Sequence, residues 1–194
     1  MSRKSEIARV TKETDIKVRI NLDNNDMIKV NTGSGFMDHM LELFAKHGGF
    51  SLILEAKGDT HIDWHHTIED IGISLGKGFY EALGDKRGIV RYGFSLLPMD
   101  ETLIETAVDF SGRGYLNYDV KFYQGQIGGI DVELFKEFFK AFTENSRCTL
   151  HIIKRYGENT HHIVEGIFKS VARSIKMAIK VESNEIPSTK GVLE

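Results

Sequence analysis

The chain has 194 residues, of which 41% are hydrophobic and 27% charged, and its formal net charge is −3. This length allows a substantial core, and the composition is that of an ordinary globular protein. The charge favours neither nucleic acid nor a membrane surface as a partner, and no apolar run approaches the roughly 20 residues that span a bilayer. A polar N-terminus and a single cysteine, Cys148, predict a cytoplasmic protein without an internal disulfide.

In chain order, the first half predicts strands at 6–12 and 16–22, a helix at 37–46, a strand at 51–55 and a long amphipathic helix after Trp64. The second half predicts the same succession, with elements at the ranges 89–97, 104–110, 134–143 and 149–153 and after Asn159. Each half is therefore interpreted as three strands, a helix, a strand and a long helix.

The two halves, 1–86 and 87–194, meet near a Gly-Asp-Lys-Arg-Gly turn at 84–88. Strands grouped ahead of helices favour an α+β fold. We expect an internal duplication of a βββαβα-type half, with two four-stranded sheets and helices packed on one face of each. The absence of a low-complexity linker predicts one compact unit. We expect the C-terminal tail, which follows the second half, to bind substrate.

The strongest sign of duplication is the motif His-His-x-x-Glu, which occurs at His65 and again, 96 positions later, at His161. After both copies, apolar residues recur every three or four positions, which is the pattern of one buried helix face. A single His-His pair is usually a surface accident. Two copies with glutamate at the same offset make that interpretation improbable, whereas His47, His61 and His151 lack such support.

Imidazole and carboxylate ligands suit Mn, Fe, Zn, Co or Ni, and the lack of thiols disfavours a structural zinc site. Adjacent histidines on a helix point about 100° apart, so one ion cannot easily take both. Two ions, each drawing ligands from both repeats or from a neighbouring subunit, would resolve this. In the shorter helices, His39 and Glu137 stand at matched positions. The candidate metal ligands are His39, His65, His66, Glu69, Glu137, His161, His162 and Glu165.

Basic residues beside glycines and hydroxyls predict an anion site, because ammonium, guanidinium, hydroxyl and backbone amide groups together cradle phosphate. The candidates are Arg91, Arg113, Lys169, Ser188, Thr189 and Lys190. The run Ser-Thr-Lys-Gly at 188–191 is the most specific of them, since it offers little to core packing. Glu13, at a predicted strand end, is a candidate general base, while Asp100 and Glu101 default to a turn.

These ordered motifs resemble the imidazoleglycerol-phosphate dehydratase family of histidine biosynthesis over essentially the whole chain. The matching stretches in the first half are Arg9-x-Thr11-x-Glu13-Thr14, Thr32-Gly33-x-Gly35-Phe36-x-Asp38-His39-Met40-Leu41 and Asp63-x-His65-His66-Thr67-x-Glu69-Asp70. Those in the second are Arg91-Tyr92-Gly93, Pro98-Met99-Asp100-Glu101, Asp109-x-Ser111-Gly112-Arg113, Asn159-x-His161-His162-x-x-Glu165-x-x-Phe168-Lys169 and Pro187-Ser188-Thr189-Lys190-Gly191.

The resemblance implies a Mn²⁺-dependent lyase that removes water from D-erythro-imidazole glycerol phosphate to give imidazole acetol phosphate, with two Mn²⁺ ions per active site. It also implies a homo-oligomeric shell of 24 subunits with shared active sites. By motif, the eight candidate ligands carry over as metal ligands. Glu13 carries over as a substrate contact together with the anion-site residues. The catalytic candidates are Glu13, His39, His65 and His161.

Two positions depart from the family pattern. Glu137 stands where many members have histidine, and Gly114 follows Arg113 where proline is usual. The same residues are compatible with two other classes of function. A metallohydrolase would use clustered metals to activate water, and a metal-storage shell protein would bind metal without needing the anion site.

Overall fold

A computed structural model describes residues 2–193. The first half contains four strands and two helices: β1 (Lys4–Val10), β2 (Thr14–Asn21), β3 (Ile28–Asn31), α1 (Gly35–Gly48), β4 (Ser51–Gly58) and α2 (His65–Leu83). Its sheet has the strand order β1-β2-β4-β3, in which β1, β2 and β4 are antiparallel neighbours and β3 runs parallel to β4.

The second half repeats this arrangement with one insertion. Its elements are β5 (Tyr92–Met99), β6 (Thr102–Asp109), β7 (Tyr115–Asp119), β8 (Gln126–Ile127), β9 (Ile130–Asp131), α3 (Leu134–Ser146), β10 (Thr149–Tyr156) and α4 (Thr160–Ala178). The sheet order β5-β6-β10-β7, with β7 parallel to β10, matches that of the first sheet. The small β8–β9 hairpin is the addition.

The α+β fold, the duplication and the two four-stranded sheets with helices on one face of each are confirmed. The third strand of each half, β3 and β7, had no predicted position. Both are short edge strands with half-exposed residues, so their alternation pattern is weak. No helix within residues 2–193 is both long and apolar enough to cross a membrane.

The helices lie between the sheets and pack across the two halves. Helix α2 covers β1 and β2 but packs against α3, while α4 covers β5 and β6 and packs against α1. One buried phenylalanine from each helix enters a shared aromatic cluster: Phe44, Phe79, Phe142 and Phe168. Because each half completes the other's core, the chain has one continuous core, to which both sheets contribute.

Helices α2 and α3 approach closely because α2 presents glycines to α3. A Cβ at Gly72 would lie 2.5 Å from the Phe138 carbonyl oxygen, and one at Gly76 would lie 2.6 Å from the Phe142 carbonyl oxygen. No side chain fits at such distances, so the two backbones meet where only hydrogen occupies the Cβ position.

We predict that Gly72→Ala lowers the free energy of unfolding by about 1–3 kcal/mol, because the new methyl group must push α3 away. Gly35→Ala is the matched control, since a Cβ there meets nothing within 4 Å. Urea denaturation followed by circular dichroism measures both variants. Equal stability of the two would contradict the close-approach explanation.

Candidate metal and substrate site

Both long helices begin at a His-His pair, and a polar side chain just ahead fixes each start. The Asp63 carboxylate accepts a hydrogen bond from the His65 backbone amide at 2.7 Å. The Asn159 side chain accepts from the amides of His161 and His162 at 2.9 and 3.3 Å. Such caps satisfy amides that have no partner within a helix. They hold the histidines in the first helical turn, at the end of the helical layer.

Within each pair the two rings diverge. The ring centroids of His65 and His66 lie 6.1 Å apart with planes at 82°, and those of His161 and His162 lie 6.2 Å apart with planes at 88°. The two members of a pair therefore face different surroundings, as helical geometry requires.

The first member of the second pair belongs to a cluster formed where α1 crosses α4. His161 Nε2 and His39 Nε2 lie 3.1 and 3.7 Å from the same Glu165 carboxylate oxygen. The other oxygen of Glu165 accepts a hydrogen bond from the Lys169 ammonium, one helical turn later. The structure thus brings together three predicted ligands from both halves, and it places a predicted substrate contact beside them.

Glu165 is the buried member of this cluster, with a side chain only 8% exposed. Burial raises the pKa of a carboxyl group, but here the Lys169 ammonium and the His161 ring outweigh burial and hold the pKa of Glu165 below its ordinary value. Glu165 is therefore an ionised carboxylate at neutral pH, flanked by two imidazoles that are about half exposed.

The second member of each pair, His66 or His162, faces carboxylates on neighbouring loops. His66 Nδ1 lies 3.0 Å from Asp59 Oδ2 and 3.8 Å from Glu13 Oε2. Glu13, Asp59 and His66 offer ligand atoms that all lie within 4.8 Å of one another, a spacing that could hold a metal ion. The hydrogen bond to Asp59 raises the pKa of His66.

In the second half, His162 likewise faces two carboxylates. His162 Nδ1 lies 2.6 Å from Glu101 Oε2, and its Nε2 lies 3.6 Å from Asp100 Oδ2. The hydrogen bond from His162 lowers the pKa of Glu101 to about 2. Glu101 stands in the β5–β6 turn as Glu13 stands in the β1–β2 turn, each directly before a buried threonine.

Three predicted ligands are not gathered in the same way. His65 is exposed, and Glu69 is half-buried. Glu137 forms an ion pair with Lys140 at 3.6 Å. In residues 2–193 no hydrogen bond or ion pair joins any of these three to another predicted ligand. One chain thus assembles the His39–His161–Glu165 cluster, whereas within residues 2–193 no hydrogen bond or ion pair links the equivalent residues of the other half, Glu137, His65 and Glu69.

The predicted anion-site residues fall into separate places. Arg91 forms a two-bond pair with Asp109, at 2.7 and 3.1 Å, and also donates to the Pro187 carbonyl at 3.0 Å. It therefore lies beside the 188–190 tail, whereas Lys169 lies at Glu165. Arg113 is exposed on the loop after β6. Over the described part of the chain, no bond connects Arg113 to the tail or to Lys169.

Asp59, Glu101 and Asp109 were not predicted as site residues. Asp59 and Glu101 bind metal-candidate histidines, and Asp109 orients Arg91. One signal for Glu101 was present in the sequence, because Glu13-Thr14 and Glu101-Thr102 are the same dipeptide at equivalent strand starts. The turn predicted there exists, but it also brings a carboxylate to His162.

The sequence model of the family described as "Imidazoleglycerol-phosphate dehydratase" matches residues 32–175. The chain belongs to this family. The protein of that name from Caldicellulosiruptor bescii is 54% identical over 191 residues, covering 98% of each chain. The one from Desulforamulus reducens is 52% identical over 195 residues, covering 100% of both.

Two solved structures agree with this membership. The imidazoleglycerol-phosphate dehydratase of Staphylococcus aureus is 41% identical, with a TM-score of 0.84 over 92% of this chain and 99% of that one. The Pyrococcus furiosus enzyme, solved in complex with (S)-C348, is 40% identical, with a TM-score of 0.85 over 96% and 100%. Membership makes the chain a hydro-lyase of histidine biosynthesis, so the metallohydrolase and storage interpretations are set aside.

The donor set fits a divalent metal ion. Ionised Glu165 and the neighbouring rings of His39 and His161 supply one oxygen and two nitrogen ligands, and these ligand types suit Mn²⁺ and its neighbours in the series. Carboxylates bound to the far ring nitrogen of a metal-binding histidine orient the ring and increase its basicity. Asp59 and Glu101 stand in the right place for that role toward His66 and His162.

We predict that Glu101→Gln weakens Mn²⁺ binding about 10- to 100-fold, because His162 loses the carboxylate that orients it. The control is Glu105→Gln, which removes a carboxylate paired with Arg155 elsewhere on the second sheet. Isothermal titration of metal-free protein with MnCl₂ measures both. If Glu101→Gln binds Mn²⁺ as tightly as the control does, Glu101 has no part in the metal site.

Proposed function

We propose that this protein is a Mn²⁺-dependent imidazoleglycerol-phosphate dehydratase that acts in the cytoplasm. It would convert D-erythro-imidazole glycerol phosphate to imidazole acetol phosphate and water. The observation that carries the proposal is the convergence of His39 and His161 on buried, ionised Glu165, with the Lys169 ammonium on the other oxygen of that carboxylate. A ligand set for an azole-binding metal thus adjoins a cation suited to phosphate.

The metal ligands divide into two groups in the proposed site. His39, His161 and Glu165 would hold one ion, and the remaining candidates, which one chain leaves exposed or half-buried, would complete their sites with a neighbouring subunit. The proposed ligands in that second group are His65, His66, Glu69, Glu137 and His162. This division supports a homo-oligomer in which each active site holds two Mn²⁺ ions. For the assembly, we propose the 24-subunit shell implied by the family resemblance.

A bound Mn²⁺ ion would act as a Lewis acid toward the imidazole ring and draw electron density from its side chain. The product differs from the substrate by loss of the hydroxyl group on the carbon attached to the ring and of one hydrogen on the next carbon. That hydrogen must leave as a proton to a base, and the hydroxyl must leave with a proton as water. The resulting enol then becomes the ketone as its hydroxyl group loses a proton and the carbon attached to the ring gains one.

Glu13 is our candidate for moving the proton. Its carboxylate lies at an exposed turn, 3.8 Å from His66 Nδ1, so it can reach a bound substrate beside the histidine pair. An exposed carboxylate beside an imidazole can accept a proton and return it within one reaction cycle.

The phosphate group would be held by Arg91, Arg113, Lys169, Ser188, Thr189 and Lys190, contributed by more than one subunit because a single chain places them apart. Arg91 uses three of its N–H donors for Asp109 and the Pro187 carbonyl, which leaves two of the five donors of a guanidinium for an anion. Asp109 therefore fixes the direction of the guanidinium without using all its donors. Holding the phosphate in this way would place the carbon chain of the substrate against the metals.

We predict that chelation with EDTA abolishes turnover of imidazole glycerol phosphate and that added Mn²⁺ restores it, because the ring is activated only by a bound ion. Product formation can be followed by absorbance of the enol form in alkali. Undiminished turnover by protein shown to be free of metal would refute the proposed mechanism.

We predict that Glu13→Gln lowers kcat by about 10²- to 10⁴-fold, the usual range for loss of a general acid–base group. Bound Mn²⁺, counted in the same sample, distinguishes proton transfer by Glu13 from metal binding by Glu13. Loss of turnover with the metal retained supports proton transfer. Near-normal turnover with the metal retained removes Glu13 from the chemistry.

A further inference from the structure

The segment that joins the two halves runs antiparallel to the C-terminal tail. A β-bridge pairs Ile89 with Val181, and the Glu182 amide donates to the Gly88 carbonyl at 2.8 Å. The Gly88 amide in turn donates to the Glu185 carbonyl at 2.7 Å. A Cβ at Gly88 would lie 2.1 Å from the Ser183 carbonyl oxygen, so the two segments are in direct backbone contact.

Cationic side chains of the same joining segment extend this contact along the tail. Arg87 donates to the Asn184 carbonyl at 3.2 Å, and Arg91 donates to the Pro187 carbonyl at 3.0 Å. Lys86 Nζ donates to the Leu193 carbonyl at 3.2 Å. The Arg91–Pro187 and Lys86–Leu193 bonds lie on either side of 188–190, the part of the tail proposed to bind phosphate.

Lys86 is unusual because a lysine on a loop is almost wholly buried. Its relative exposure is 1%, and its backbone has a positive φ of 61°. The ammonium lies 5.7 Å from the centre of the Tyr80 ring, and the Arg147 guanidinium lies 4.9 Å from the same ring. A buried ammonium needs acceptors, since its desolvation is costly. The Leu193 carbonyl is one such acceptor, and it belongs to the tail.

The tail has few other attachments beyond Pro187. Residues 189–192 are exposed, and the hydrogen bonds of this stretch within residues 2–193 are local ones to Ser188, donated by the amides of Lys190 and Gly191. The position of 188–190 thus depends on its two ends. Arg91 holds the near end, and Lys86 holds the far end.

We propose that Lys86 is a positioning residue that fastens the far end of the C-terminal tail and so holds Ser188, Thr189 and Lys190 at the phosphate site. The phosphate part of this inference rests on the proposed function. The fastening itself does not, because it is a property of the protein without substrate.

The first experiment measures the fastening alone. Amide hydrogen exchange is followed by mass spectrometry on Mn²⁺-loaded protein without substrate, for wild type, Lys86→Met and the control Lys180→Met. Lys180 is an exposed lysine at the start of the tail, just after α4, and is paired with Glu182. We expect exchange in 187–193 to quicken about tenfold in Lys86→Met alone, as loss of one hydrogen bond allows. Unchanged exchange in the tail of a folded Lys86→Met would overturn the proposal, whatever the activity.

The second experiment separates positioning from general destabilisation. A chain that ends after Gly191 lacks the Leu193 carbonyl but keeps the core and Lys86. We expect Lys86→Met and this truncation each to raise KM for imidazole glycerol phosphate about tenfold with kcat within about twofold, as loss of ground-state binding does. The double variant should be no worse than either single one, because both remove the same contact. The proposal would be overturned if the increases in KM of the two single variants multiplied in the double variant, or if the truncation left KM unchanged.

Discussion

The crossing of helices between the two halves is the constraint on which the rest of the structure depends. Each short helix packs against the long helix of the other half, α1 on α4 and α3 on α2. Only this exchange puts His39, from the first half, within 3.7 Å of Glu165, from the second. The buried phenylalanines at the centre of the four helices make the exchange part of the core, so the His39–His161–Glu165 cluster cannot form unless both halves fold together.

The duplication supplies two similar histidine pairs, and their surroundings give them different properties. His161 meets a buried glutamate, Glu165, whose negative charge is balanced by the Lys169 ammonium. A carboxylate placed between an imidazole and an ammonium group suits a site that takes a metal cation and an anionic substrate together. His66 instead meets Asp59, in the loop after β4, and His162 meets Glu101, in the β5–β6 turn. Each carboxylate orients its ring from the side. Among the matched ligand positions, the two halves differ in the short helices, where His39 is matched by Glu137.

Much of this structure could be predicted from the sequence, because the strand alternation and the helical period of three and four reflect burial directly. The period shows which face of α1 is buried but not which helix covers it, so the meeting of His39 with Glu165 needed the structure. Glu101 was missed because the offset between repeats is 96 at the histidine pairs but 88 at Glu13 and Glu101. The insertion that contains the β8–β9 hairpin raises the offset to 98 at His39 and Glu137, and a loop two residues shorter ahead of the second histidine pair reduces it to 96. The long-range bond from Lys86 to the tail has no sequence signal at all.

The most direct test of this account counts the Mn²⁺ ions that metal-free protein binds, by equilibrium dialysis with elemental analysis, in wild type and His39→Asn. The claim is that ligands from both halves hold one ion jointly. It predicts two tightly bound ions per chain in wild type and one in the variant, with the fold unchanged by circular dichroism. Two tightly bound ions in His39→Asn, or none in wild type, would contradict it.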